Sequence, residues 1–160
     1  MLNQEFLLDL EAFLQEHLDD YPILYNESSM HQFDLKEMEL DVYIENNRQP
    51  TFQQVLFDYI NQSGLTDPQV YKKAGMDRRH FSKIRSNTDY LPKKNSLIAL
   101  AFALELTLEE TDSLLQSAGY SLSRSDKKDL MVEFFLKKKQ YNLFDLNETL
   151  DLYGLEPLLK

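Results

Sequence analysis

KKAGMDRRHFSKIRSN, residues 72–87, holds six of the chain's seventeen lysines and arginines, in a protein of formal net charge −10. The stretch carries its own punctuation. Gly75 breaks it as a glycine beyond a helix end does, and Asp77 stands where an N-cap opens a second helix, with Phe81 and Ile84 three apart on its inward side. Two short helices joined by a tight turn are predicted, with the positive charge on the second helix and on the end of the first.

The pattern continues on both sides. Upstream, Phe52, Val55, Leu56, Tyr59 and Ile60 form a helical stripe that opens at Pro50-Thr51 and closes at Gly64. Thr66-Asp67-Pro68 starts the first helix of the pair, with Asp67 expected as cap, Pro68 at the first helical position and Ala74 at the end. Downstream, a loop with Asn87, Asp89 and Pro92 leads into NSLIALAFALEL, a helix apolar enough to be the centre of a core. Thr107 and Glu110 have capping-box spacing for a helix carrying Leu108, Thr111, Leu114 and Leu115 and ending near Gly119. SLSRSD offers caps for another helix holding Leu130, Met131, Phe134 and Phe135. A last one, with Leu143, Leu146, Leu150 and Tyr153, stops at Gly154.

The first fifty residues are of a different kind. Leu2, Phe6, Leu7, Leu10, Phe13, Leu14 and Leu18 recur at helical spacing among acids, which predicts an amphipathic acidic helix ending before Pro22. Leu7, Leu10, Phe13 and Leu14 are its candidate face for dimerisation or for a protein partner. Tyr21 to Met30 reads as a loop. From Met38 to Glu45 apolar and polar residues alternate, a pattern open to either a strand or a helix.

Composition narrows the class. Four glycines and five prolines in 160 residues are too few for a many-stranded sheet, so the expected fold is all-α. The absence of cysteine excludes disulfides and thiolate metal sites, and His17, His31 and His80 are too scattered for a metal cluster, so neither metal nor cofactor is expected. No basic region precedes the first apolar residues, and the longest apolar run, Leu97 to Leu104, is too short for a bilayer. A cytoplasmic protein with no membrane partner is the expectation. No phosphate-cradling glycine loop, zinc spacing or nucleophile elbow occurs, and Ser82 and His80, two apart on a helix, do not share a face. No catalytic residue is assigned, and the chain is expected not to be an enzyme.

Charge is divided along the chain. Residues 1–50 carry twelve acids and two bases, whereas Asp67 to Lys94 carries eight bases and three acids. A pI near 4.7 argues against bulk affinity for phosphate, so any such affinity has to reside in that local patch.

The residues TDPQVYKKAGMDRRHFSKIRSN, 66–87, resemble the lambda-repressor/Cro-like helix-turn-helix superfamily. Val70 matches the apolar residue of the first motif helix, Gly75 the turn, Met76 the apolar residue after it, Asp77 the cap, and Phe81 and Ile84 the inward positions. The likeness spans five helices over roughly residues 51–119, with PKKNSLIALAFALELTLEET similar to the fourth and fifth. It implies that the second motif helix enters a DNA major groove. Arg78, Arg79 and Lys83 would then face base edges, and Lys72, Lys73, Arg85, Lys93 and Lys94 would contact phosphates. Two positions depart from the pattern: Asp67 stands where many members have a phosphate-contacting Gln, and Tyr71 where a small residue is usual.

The chain from about Thr51 onward also looks like bacterial helix-turn-helix modules found alone, or beside macro, von Willebrand A and similar domains, in stress and phage-defence neighbourhoods. The phrases that carry this likeness are VYKKAGMDRRHFSKIRSN, LAFALELTLEETDSLLQSAGYSLS and NLFDLNETLDLYGLEPLL. The organisation expected is an acidic arm at 1–50, a helix-turn-helix domain at 51–119 and a helical extension at 120–160 packed on it. Two functions stay open. One is a transcriptional regulator that binds double-stranded DNA, as the clustered arginines and intact turn favour. The other is a non-enzymatic adaptor that has kept the fold without DNA binding and engages a protein, or a second copy, through the acidic arm, the extra C-terminal helices, or both, as Asp67 and the overall charge favour.

Overall fold

The computed structural model describes residues 29–158, together with Leu8 and Ala12, and every regular element among them is helical. The expected helix at 2–18, with its Leu7, Leu10, Phe13 and Leu14 face, and most of the expected loop from Tyr21 lie outside the described residues. Two compact units divide the chain, Met1–Gln49 and Pro50–Lys160.

In the first unit, α1 runs over Ser29–Asn47. It begins before the end of the loop expected to reach Met30, and it takes in the alternating stretch at 38–45. A solitary strand there would leave its peptide groups without a ladder, whereas a helix satisfies them internally. The alternation has no buried face behind it: Met38, Val42 and Ile44 are all about half exposed or more.

The second unit contains α2 (Phe52–Ser63), α3 (Asp67–Lys73), α4 (Arg78–Ser86), α5 (Lys94–Ala103), α6 (Leu108–Ser117), α7 (Lys127–Lys137) and α8 (Leu143–Leu152). Its centre is α5, in which every residue from Leu97 to Ala103 is buried. A helix apolar all round must be enclosed by others. α3 and α6 pack directly on it, α2 packs on α6, α4 on α3, α7 on α6 and α8 on α7. One continuous core therefore extends from Phe52 to Leu158.

Short helices depend on their ends, because few of their peptide groups are bonded internally. Thr51 with Gln54, Thr66 with Gln69 and Thr107 with Glu110 form three reciprocal capping boxes. The second corrects the sequence-based expectation: Thr66, not Asp67, caps α3, its hydroxyl oxygen accepting the Gln69 N–H while its own N–H donates to Gln69 Oε1 at 2.8 Å. The Asp67 carboxylate is left free for another use. Between α3 and α4 the chain turns at Gly75, whose φ of +66° favours glycine. The Met76 N–H donates to Tyr71 O at 2.8 Å and the Gly75 N–H to Lys72 O at 3.1 Å, closing α3.

α5 is closed in the same way by a residue with a side chain. Glu105 adopts φ +53°, with Leu106 N–H donating to Ala101 O at 3.0 Å. Beyond that end, Tyr141 meets the Phe102 ring edge-on at 6.1 Å, and burial together with Glu105 and Glu110 raises its hydroxyl pKa above the ordinary value.

The C-terminal helices are fastened to the start of α5 by polar contacts. Lys94 Nζ lies 2.6 Å from Oδ2 of Asp129, which also accepts the Ser123 N–H at 2.8 Å, and Asp129 is only 3% exposed. The Tyr120 hydroxyl donates to Pro92 O at 3.1 Å.

Two stability measurements check this account. Asp129→Ala strips the Lys94 ammonium and the Ser123 N–H of their partner, and urea unfolding is expected to show a loss of about 2–3 kcal/mol. Glu105→Gly relieves a left-handed side-chain-bearing residue and is expected to gain about 0.5–1 kcal/mol, the relief of strain exceeding the entropy that glycine adds to the unfolded chain.

Candidate nucleic-acid interface

α4 carries the charge that marks the sequence. It is nine residues long, and its Asp77 cap accepts the His80 N–H at 2.7 Å. Phe81 and Ile84, both almost fully buried, root one side in the core, and Tyr71 of α3 lies against the Phe81 ring at 5.6 Å. The opposite side, with Arg78, Arg79, Ser82 and Lys83, is exposed.

The last turn of α4 is held from three directions. Gln53 of α2 donates its side-chain N–H groups to Ile84 O at 3.1 Å and Arg85 O at 2.7 Å, satisfying carbonyls that the helix cannot pair itself. Arg85 forms a fork with Asp67 of α3, its Nε 2.7 Å from Oδ2 and its Nη2 3.0 Å from Oδ1. The same guanidinium lies over the Phe57 ring of α2 at 4.4 Å. Tyr90, in the loop after α4, braces the outer side. Its hydroxyl is 2.9 Å from His80 Nε2, and the Lys83 ammonium sits 4.4 Å above its ring.

These contacts sort the eight basic residues singled out from sequence. Arg85 is paired with Asp67, Lys94 with Asp129, and Lys83 is drawn onto Tyr90. Lys72, Lys73, Arg78, Arg79 and Lys93 are exposed, and no ion pair among the described residues engages them. Lys72 and Lys73 lie in the last turn of α3, Arg78 and Arg79 in the first turn of α4, and Lys93 immediately before α5, with no side-chain capping bond. Two pairs of cations thus flank the α3–α4 turn; of the acids near them, Asp67 is paired with Arg85, and the Asp77 carboxylate accepts the His80 N–H as the cap of α4.

Gln53, Phe57 and Tyr90 escaped the sequence reading. Gln53 is separated from its carbonyl partners by 31 and 32 residues, and nothing in the local pattern distinguishes it from any polar residue on an amphipathic helix. The opposite charges of Asp67 and Arg85 were visible, but their pairing depends on the packing of α3 against α4. Among the described residues no three His, Asp or Glu side chains come together to hold a metal, and no helix is long and apolar enough to cross a membrane. Compared with protein-family models, curated proteins and solved structures, the chain matches none.

Gln53→Ala leaves two carbonyls of the last α4 turn unpaired. The expected result is a loss of about 1 kcal/mol in stability, with faster amide exchange confined to Ile84–Asn87 in hydrogen-exchange mass spectrometry.

Proposed function

We propose that the chain is a non-enzymatic, DNA-binding regulator of the cytoplasm in which α2–α6 act as a lambda-repressor-like helix-turn-helix, with α4 reading the major groove. The observation that carries the reading is the exposed, unpaired Arg78–Arg79 pair on a short helix whose other end is anchored by Gln53, Asp67 and the buried Phe81 and Ile84. A rigidly seated helix presents its arginine forks at little further entropic cost, and such a fork matches the two acceptors of a guanine edge. Lys72, Lys73 and Lys93, exposed at the end of α3 and the start of α5, are the candidate phosphate contacts. Lys83 can leave the Tyr90 ring for a base or phosphate because that contact is itself only a partly exposed cation–π pair. Asp67, an acid at a place where repulsion of phosphate would be expected, has its charge met by Arg85 within the protein.

Binding of the full-length chain to duplex DNA across a salt series tests the reading. Affinity should fall steeply as salt rises, with each neutralised phosphate contributing a slope of about −0.9 in log–log terms. Arg78→Ala/Arg79→Ala should weaken binding by about tenfold to a hundredfold or more, since each well-placed fork is worth about 1–3 kcal/mol. Asp67→Ala, which removes an acid and releases the Arg85 guanidinium, should tighten it. Arg124→Ala, which removes the same charge from a side chain 81% exposed and outside the patch, should leave affinity nearly unchanged. If DNA is not bound even at low salt, the basic helix is a surface for an acidic protein and the adaptor reading takes its place.

A further inference from the structure

The outer faces of α7 and α8 expose large apolar side chains among charges of opposite sign. On α7, Leu130 and Phe134 lie one turn apart and are 42% and 59% exposed. Lys127, Lys137 and Lys138 are exposed around them. Of the acids beside this face, Glu133 is largely covered and held by Arg124 and Lys137, each at 3.4 Å, and Asp126, one turn before Leu130, accepts the Lys128 N–H at 3.0 Å as the cap of α7. On α8, Phe144 and Leu152 are 74% and 79% exposed, and the exposed charges beside them are Asp145, Glu148 and Asp151, with no base in the helix. No ion pair among the described residues engages those three acids, or Lys127 and Lys138. The two lysines rest on aromatic rings instead: Lys127 on Tyr153 at 4.9 Å, which links the two faces at that end of the helix pair, and Lys138 on Phe134 at 5.7 Å.

Single exposed apolar side chains are ordinary, but here four large ones stand on two helices packed against each other, whose outer faces the Lys127–Tyr153 contact joins at one end. The charges say what covers them. A surface with a basic apolar stripe beside an acidic apolar stripe is complementary to itself under a two-fold rotation, which lays each stripe on its opposite in the other copy. We propose that a second copy of this chain docks here, the basic α7 face of each protomer lying on the acidic α8 face of the other. Phe134 and Leu130 then bury against Phe144 and Leu152 of the other copy, and the unpaired lysines and carboxylates meet at the rim. This interface is distinct from the Leu7, Leu10, Phe13 and Leu14 face considered from sequence, and it does not rest on the reading of the α4 patch.

Sedimentation equilibrium of the full chain over a range of micromolar concentrations tests it. The chain should dimerise, less tightly at high salt. Phe134→Glu should raise the dissociation constant about tenfold or more, with an unchanged circular dichroism spectrum because the side chain is exposed. Lys127→Glu/Lys138→Glu makes both stripes acidic, and Glu148→Lys/Asp151→Lys makes both basic. Each of these variants alone should be monomeric, and an equimolar mixture of the two should form a one-to-one heterodimer. A parent chain that stays monomeric overturns the proposal. So does a dimer that Phe134→Glu and both charge reversals leave intact, or a mixture as monomeric as its components; a dimer lost only on substituting Leu10 and Phe13 would assign association to the arm instead.

Discussion

The structure of the second unit follows from the need to enclose α5. Seven consecutive residues of that helix, Leu97 to Ala103, are out of contact with water, so no side of it tolerates exposure. Burying its side chains is worth on the order of 1.5–3 kcal/mol for each large one, and that gain requires neighbours on every side. α3 and α6 supply the first layer, and α2, α4, α7 and α8 attach to the fold through them. The short length of these surrounding helices is affordable because capping boxes and αL closures satisfy ends that the helices cannot satisfy themselves.

The same enclosure determines what α4 offers to solvent. Phe81 and Ile84 commit one side of a nine-residue helix to the core, and the polar contacts of Gln53 and Arg85 seat its last turn. Its first turn, with Arg78 and Arg79, is left to face outward beside Lys72 and Lys73. Local positive charge in an acidic protein is thus a matter of selective pairing: some cations are neutralised by carboxylates, whereas those flanking the α3–α4 turn enter no ion pair among the described residues, the Asp77 carboxylate between them serving as the cap of α4. An acidic total keeps nonspecific attraction to polyanions low, while a patch a few residues wide can still attract one within a Debye length of about 10 Å.

At the other end of the unit the pairing rule produces a different surface. Glu133 is the acid that α7 shares with Arg124 and Lys137, leaving the remaining outward charges of α7 positive. α8 contains acids alone. Because α7 packs on both α6 and α8, its Val132, Phe135 and Leu136 are spent on the core, and Leu130 and Phe134 remain outside it. Two surfaces with distinct chemistry therefore coexist on one small fold, a basic one at the α3–α4 turn and an apolar, charge-divided one on α7 and α8.

Much of this was legible in the chain as written. Helical period, Gly64, Gly75, Gly119 and Gly154 at helix ends, and the Thr107–Glu110 spacing placed nearly every element of the second unit, because each signal acts over three or four residues of backbone. The inward roles of Phe81 and Ile84 and the exposure of Arg78 and Arg79 were readable for the same reason. Local signals were weaker where two caps competed, at Thr66 and Asp67, and where alternation at 38–45 fitted two periods. The identity of the unpaired cations belongs to tertiary structure alone. Whether Arg85 or Arg79 is free depends on which carboxylate lies within about 3 Å, and whether Phe134 or Phe135 is buried depends on which side of α7 meets its neighbours. Sequence determined the helices and their stripes through short-range backbone physics; only the packing of one helix on another, across separations of 18 to 35 residues, decided which charges are cancelled and which apolar side chains stay in water.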